Sequence, residues 1–304
     1  MMMNKYLISI LGPTAIGKTK LAIELAEKYG TEIISADSRQ FYKELNIGSA
    51  KPSNVDLNRV KHHLINNKSV KDSYSIGDFE KDALNSISKI HKKTDLAVLV
   101  GGSGLYLDVI NYGLDQIPKS DEKVRDFLNN EFKIRGLKHM QNELKEKDLI
   151  SYKNIDLNNH RRIIRALEVT ISSGKPYSSY LKKEYTVRNF KKIQIGLRDE
   201  REMIYERINT RVDNMINEGL IKEAIDLISY KNLNSLNTIG YKEIFNFLDG
   251  KSNLDQAIND IKKNTRRFAK RQMTWFNSNK DITWFKTNYK IEDVVKCIDN
   301  LITD

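Results

Sequence analysis

The 304-residue chain has a single cysteine, Cys297, and only four prolines and five histidines. One thiol excludes a disulfide framework and any cysteine-rich zinc module, and it fits a reducing compartment. No stretch reaches the ~18 apolar residues that a membrane span needs, and the N-terminal apolar run Tyr6 to Leu11 is too short for a signal-peptide core. A soluble, cytoplasmic protein with no membrane partner is expected. His62 and His63 are neighbours that point in different directions, so polar contacts are expected of them and not a metal site. Internal repeats and low-complexity tails are also lacking.

Acidic residues are outnumbered, 40 against 51 Lys and Arg, which leaves a net charge of +11. The excess favours a polyanionic partner, although ordinary basic proteins share it. The length allows one large domain plus a smaller one, and 39% hydrophobic residues can build a core.

The most informative segment is Gly12-Pro13-Thr14-Ala15-Ile16-Gly17-Lys18-Thr19, which follows Tyr6 to Leu11 directly. Its spacing is that of a phosphate-binding loop, G-x-x-x-x-G-K-T. Backbone N–H groups turn toward an anion, Lys18 adds a point charge, the Thr19 hydroxyl can sit on Mg²⁺, and the next helix presents its positive end. Leu21, Ala22, Leu25, Ala26 and Tyr29 recur at helical spacing and Gly30 offers a stop, so strand, loop and helix come in the required order.

Nucleotide hydrolases with such a loop carry a second apolar strand ending in an acid that holds Mg²⁺. Here the best candidate, Leu96-Ala97-Val98-Leu99-Val100, runs into Gly101-Gly102-Ser103-Gly104. A carboxylate instead ends the apolar stretch Ile33 to Ala36, in Asp37-Ser38-Arg39-Gln40. Ligands of parallel sheets sit at the carboxyl ends of the strands, so Asp37 and the loop should face one crevice, where Asp37 could act as a base beside a bound diphosphate.

Further blocks follow in order: Ile47-Gly48-Ser49-Ala50-Lys51-Pro52, Gly101-Gly102-Ser103-Gly104-Leu105-Tyr106, Arg165-Ala166-Leu167-Glu168-Val169, Ile239-Gly240-Tyr241-Lys242-Glu243 and Thr265-Arg266-Arg267-Phe268-Ala269-Lys270-Arg271-Gln272. Together with the loop and the Asp37 block, this series resembles the tRNA isopentenyltransferase (tRNA dimethylallyltransferase) family almost from end to end. The resemblance implies an α/β fold, a P-loop-containing parallel sheet flanked by helices with a mainly helical insertion domain. It also implies transfer of a dimethylallyl group from dimethylallyl diphosphate to N6 of the adenosine immediately 3′ of the anticodon in a tRNA anticodon stem-loop, with Mg²⁺ as cofactor. By the same resemblance Arg211 is brought to the diphosphate. Asp37 takes the N6 proton, with Thr19 on the metal. Ser38, Arg39, Gln40 and Ser103 line the way in for an adenine turned out of its stack. Arg125, Lys242 and the arginines Arg161, Arg162 and Arg165 are implied tRNA contacts. Two positions depart from the family pattern: Ile16 stands where serine is common, which removes a hydroxyl that could touch the diphosphate, and Ser103 replaces a common threonine.

Charge is unevenly spread. Residues 119–192 hold 18 Lys and Arg against 10 Asp and Glu, a net of +8, in a stretch with helical rather than strand patterning. A helical, tRNA-binding insertion over 118–192 into a core of 1–117 and 193–304 is expected. A second basic surface follows from helical arithmetic at ~100° per residue: Lys262, Lys263, Arg266, Arg267, Lys270 and Arg271 share one half-cylinder, and Ala257, Ile258, Ile261, Phe268, Ala269, Trp275 and Phe276 the other. With Asp260 the only nearby acid, these six cations read as unpaired and as a face for RNA phosphates. A monomer is expected. A small-molecule or nucleoside kinase remains an alternative, but needs a nucleobase site and a strand-end acid. An RNA-binding module whose loop is merely structural would leave Asp37 and Lys18 without a role.

Overall fold

A nearly unbroken apolar run has no solvent face, and Tyr6–Leu11 forms β1, buried at every position. The computed structural model of the protein describes residues 5–118, 121–181 and 186–303. In it β1 lies between β4 (Leu96–Val100) and β5 (Lys191–Arg198), with Ile8 opposite Val98 and Ile193. β2 (Ile33–Ser35) and the short β3 (His62–His63) extend one side and β6 (Ile282–Lys286) the other, in the order β3-β2-β4-β1-β5-β6 with every pairing parallel. His62 and His63 make separate polar contacts, with Val60 O at 2.8 Å and with Glu32 at 2.5 Å.

Helices cover the sheet where their apolar faces dictate. α1 (Lys18–Tyr29) buries Leu21, Ala22, Ile23, Leu25 and Ala26 and stops at Gly30. After the short α2 (Asn54–Arg59), α3 (Ile76–His91) starts at a reciprocal cap between Ser75 and Asp78 and buries Phe79, Ala83, Ile87 and Ile90. α4 (Gly104–Tyr112) follows the Gly101–Ser103 bend. Its last carbonyls would be left orphaned by the helix ending, but Val109 O and Ile110 O accept from Arg188 at 2.6 and 2.9 Å, and that guanidinium also pairs with Glu80. α8 (Arg201–Glu218), α9 (Leu220–Asp226), α10 (Tyr241–Leu248) and α11 (Leu254–Asn277) pack around a second apolar cluster that includes Leu45, Leu220, Tyr241 and Ile261; α12 (Ile291–Thr303) closes the chain against the sheet core through Val294 and Ile298.

The chain divides into two compact units, Met1–Tyr112 with Val187–Asp304, and Gly113–Thr186. These bounds lie several residues before the ones composition suggests at 118 and 192, because α4 ends at Tyr112 and because Arg188 and β5 from Lys191 already belong to the sheet unit. Residues 119–120 and 182–185 of that stretch lie outside the described residues. The second unit is helical: α5 (Glu122–Lys147, kinked at Gly136), α6 (Leu149–Asn154) and α7 (His160–Ser173) enclose Leu128, Met140, Leu144, Ile163 and Leu167.

Within that unit Asp148 is 3% exposed and accepts four hydrogen bonds, from the N–H and hydroxyl of both Ser151 and Ser178. Burial opposes its ionisation, but these bonds outweigh burial and hold the carboxyl below the usual aspartate range. Asp148→Ala is expected to destabilise the protein by about 2–4 kcal/mol in urea unfolding, since four donors lose one charged acceptor. The contribution should be intact above the unfolded-state pKa of ~3.9 and disappear as pH falls through the lowered folded-state value, so the difference between wild type and variant shrinks in acid.

Candidate active site

α1 begins at Gly17, with no side-chain cap and no acidic residue in its first turn. Helix starts ordinarily attract such groups, so its free N–H groups and positive end are left to an external anion. The loop before it is held in unusual backbone geometry: Gly12 has φ 138°, Ala15 φ 64° and Gly17 φ 99°. At Gly12 a side chain is sterically excluded, because its Cβ would lie 2.6 Å from the Leu197 carbonyl on the neighbouring strand.

A cavity of about 510 Å³ opens at the carboxyl ends of the strands. Thr14, Lys18, Asp37, Ser38, Arg39, Ser103, Arg211, Lys242 and Arg271 all reach it, so residues from the whole length of the sheet unit are brought together. Sharing Lys18, Asp37 and Arg211 with it, a smaller pocket of about 140 Å³ is lined by Ala15, Ile16, Gly17, Lys18 and Thr19 of the loop with Ser35, Asp37, Gln40 and Arg211. Gly12 and Pro13 are buried and support the loop from behind. Ile16 is 1% exposed and belongs to the sheet core, so the position that lacks the common serine is filled by packing.

Charge in the site is concentrated and poorly solvated. Lys18 Nζ donates to Pro13 O at 2.7 Å, and Arg211 Nη1 donates to Thr14 Oγ1 at 3.2 Å. Burial pushes the Lys18 ammonium down to about 7, the Arg211 guanidinium adds to this, and Asp37 opposes it. Burial lowers Arg211 as well, again with Asp37 in opposition. Asp37 Oδ1 accepts the Arg39 N–H at 2.9 Å in a local turn, while Oδ2 has no hydrogen-bond partner among the described residues. Arg39 is itself anchored, Nη1 donating to Ser235 O at 2.8 Å.

Gln272 was not singled out by chemistry in the sequence, yet it joins the two loops that form the site. Its Oε1 accepts the Thr14 N–H at 2.9 Å and its Nε2 donates to Gly102 O at 2.8 Å. A signal was present: at ~100° per residue Gln272 falls on the apolar half of α11, where a buried amide needs partners. Phe268, placed on that same half, is 36% exposed and lines the cavity.

A family model described as IPP transferase matches residues 40–279. The chain belongs to this family. It is 51% identical to a tRNA dimethylallyltransferase of Christiangramia forsetii over 99% of both chains, and 48% identical to one of Flavobacterium johnsoniae over 97% of both. Among solved structures it is similar to the tRNA isopentenylpyrophosphate transferase of Bacillus halodurans (38% identity, TM-score 0.71, 98% of this chain and 96% of that one). It is also similar to a eukaryotic dimethylallyltransferase acting on tRNA (26% identity, TM-score 0.85, 98% and 80%).

The cations that helical arithmetic and the family resemblance offer to tRNA are placed less uniformly than the sequence suggests. On α11, Lys262 pairs with Asp213 of α8 at 2.6 Å, Lys263 with Asp260 at 2.5 Å, and Arg266 donates to Asn209 at 2.7 Å. Six unpaired cations are therefore not found; Arg267 and Lys270 are exposed and have no ion-pair partner among the described residues, and Arg271 turns toward the cavity. In the helical unit, Arg125 and Arg165 both neutralise Glu168, which is 2% exposed, whereas Arg161 and Arg162 are exposed. No helix among the described residues is long and apolar enough to cross a membrane.

The lowered Lys18 pKa makes anion binding pH-dependent. A bound diphosphate restores the proton, so above pH ~7 binding must take one up and affinity falls by up to tenfold per pH unit, whereas below pH ~7 Lys18 is already charged. Calorimetric titration with inorganic diphosphate at pH 8, in buffers of different ionisation heat, should show proton uptake that Lys18→Met loses.

Proposed function

We propose that this chain transfers a dimethylallyl group from dimethylallyl diphosphate to N6 of the adenosine immediately 3′ of the anticodon in tRNA, releasing diphosphate. The observation that carries the reading is the convergence of Lys18, Arg211 and Asp37 on one cavity whose adjoining strand, β4, ends in Gly101 and Gly102 with no carboxylate. That arrangement supports a diphosphate acting as a leaving group and a separate carboxylate acting on something else. It gives no support to a kinase, which requires an acid at that strand end.

In this mechanism the bond from N6 to the allylic carbon forms as the carbon–oxygen bond to diphosphate breaks. The electron pair leaves with the diphosphate, whose charge the loop N–H groups, Lys18 and Arg211 neutralise. Adenine N6 is a weak nucleophile because its lone pair is delocalised into the ring. Asp37 Oδ2 accepts its proton as the bond forms, while Oδ1 stays on the Arg39 N–H and keeps the carboxylate oriented. The apolar part of the cavity, with Val212, Met215, Ile239, Ile261 and Phe268, suits the hydrocarbon of the donor.

Mg²⁺ fits the donor set. The described residues hold no cluster of three or more His, Cys, Asp or Glu, so an all-protein cage is not offered; the Thr19 hydroxyl, in the pocket beside Ser35 and Asp37, would hold the ion together with the bound donor. When bound there it adds charge neutralisation to the leaving group. Exposed Arg267 and Lys270, with Arg161 and Arg162 of the helical unit, are proposed to hold tRNA phosphates.

Asp37→Asn preserves size and removes the base. It should lower kcat by roughly 10²–10⁴ in a tRNA prenylation assay and leave donor binding largely intact, and near wild-type turnover would sink the assignment. The phosphate contacts are read separately, by the salt dependence of tRNA binding. Replacing Arg267 or Lys270 by alanine should weaken binding and remove about 0.7–0.9 from the log–log salt slope per lost contact, with donor affinity unchanged. An unaltered slope in the paired variant means that tRNA docks elsewhere.

A further inference from the structure

Two of the sequence blocks, Ile47 to Pro52 and Ile239 to Glu243, supply no group that gives or takes a proton or charge in the transfer step above, yet both contribute to the cavity through Gly48, Ser49, Ala50, Ile239, Gly240 and Lys242. A residue outside every block joins them. Glu223, on α9, receives four hydrogen bonds on one carboxylate: Oε2 accepts the N–H groups of Asn46 and Ile47, both at 2.9 Å, and Oε1 accepts the Gly48 N–H at 3.0 Å and the Tyr241 hydroxyl at 2.6 Å. Three consecutive backbone N–H groups turned to one side form an anion-binding concavity, and here the anion is the protein's own side chain. Tyr241 is fully buried, and its ring sits where a Cβ on Gly48 would lie 2.6 Å away, so the turn and the ring are fixed against each other.

The far end of the turn leads to Asp37. Ala50 O accepts from Gln40 Nε2 at 3.3 Å, and Gln40 Oε1 accepts from Ser35 Oγ at 3.0 Å, so Asp37 is bracketed by a tether two residues before it and three after it. Lys51 closes the same segment from outside through Tyr42 O at 2.6 Å and Asn46 Oδ1 at 3.1 Å. We propose that Glu223 is a positioning residue for the transfer: through the 46–50 turn and Gln40 it fixes the segment that presents Asp37 to the acceptor nitrogen. This rests on the reading of Asp37 as the base.

A carboxylate is required for this task because all four partners are donors. Glu223→Gln keeps the shape but turns one acceptor oxygen into a donor that faces other donors, so the turn loses its clamp while the fold keeps its packing. Single-turnover transfer at saturating donor and tRNA, with separate binding titrations, tests the idea in wild type, Glu223→Gln, Asp37→Asn and the double variant. A misplacement of about 1 Å predicts a fall of roughly 10–100-fold in the transfer rate for Glu223→Gln, with donor and tRNA affinities held within about twofold. Because Glu223 acts through Asp37, the double variant should be no slower than Asp37→Asn alone.

A transfer rate near wild type in folded Glu223→Gln, or losses that multiply in the double variant, overturns the proposal. A wild-type rate in Asp37→Asn overturns the reading beneath it, and is distinguishable because it involves no change at Glu223. Should Glu223→Gln fail to fold, Tyr241→Phe keeps the ring against Gly48 and withdraws one donor from the carboxylate. It should show a smaller rate loss of the same non-additive kind, and a wild-type rate in that variant overturns the proposal equally.

Discussion

A loop that offers its backbone N–H groups to an anion has to be prevented from satisfying them internally, and much of this site is arranged around that constraint. With Ala15 and Gly17 at positive φ the loop would be a weak element alone. It is supported from behind by the Leu197 carbonyl against Gly12 and from the side by Gln272, which takes the Thr14 N–H and ties it to Gly102. The Arg211 guanidinium approaches Thr14 from α8. Three distant parts of the chain thus converge on a few residues, and the depressed Lys18 pKa is a consequence of enclosing positive charge there before its counter-ion arrives.

The same logic separates the carboxylates. Two carboxylates of the sheet unit are committed: Glu243, which lines the cavity, accepts from the Gly240 N–H and Asn264, and Glu223 is occupied by the 46–48 turn. Asp37 alone among these three keeps an oxygen without a hydrogen-bond partner among the described residues. Basic residues show a parallel division, with Lys262, Lys263 and Arg266 partnered by Asp213, Asp260 and Asn209, and Arg267 and Lys270 exposed with no ion-pair partner among the described residues. Counting charges along a helix cannot separate these classes.

What the sequence made legible was whatever follows from local order and sheet topology. Strand, loop and helix at Tyr6 to Tyr29 could be read from spacing, and a parallel sheet puts strand ends together, so Asp37 and Lys18 could be placed on one crevice. What stayed hidden depends on partners remote in sequence: Glu168 beneath Arg125, Asp213 beside Lys262, and Gln272 across 258 residues from Thr14. Glu223 gave no local sign, because a glutamate on a short amphipathic helix looks solvated until the 46–48 turn is folded against it. The packing of Ile16 was hidden for a related reason, since only the folded structure shows that its side chain belongs to the core while the residue lines the smaller pocket.

Arg188 has a wider implication. By holding the end of α4 through Val109 O and Ile110 O, and with Lys192 Nζ 4.3 Å from the Tyr112 ring centre, it brings the points where the chain leaves and rejoins the sheet unit into one corner. Both ends of the intervening segment are thus anchored by contacts made within the sheet unit itself. Closure entropy rises only slowly with loop length, so an intervening segment here is free to grow, shrink or be exchanged over evolutionary time while the strands on either side stay paired as they are.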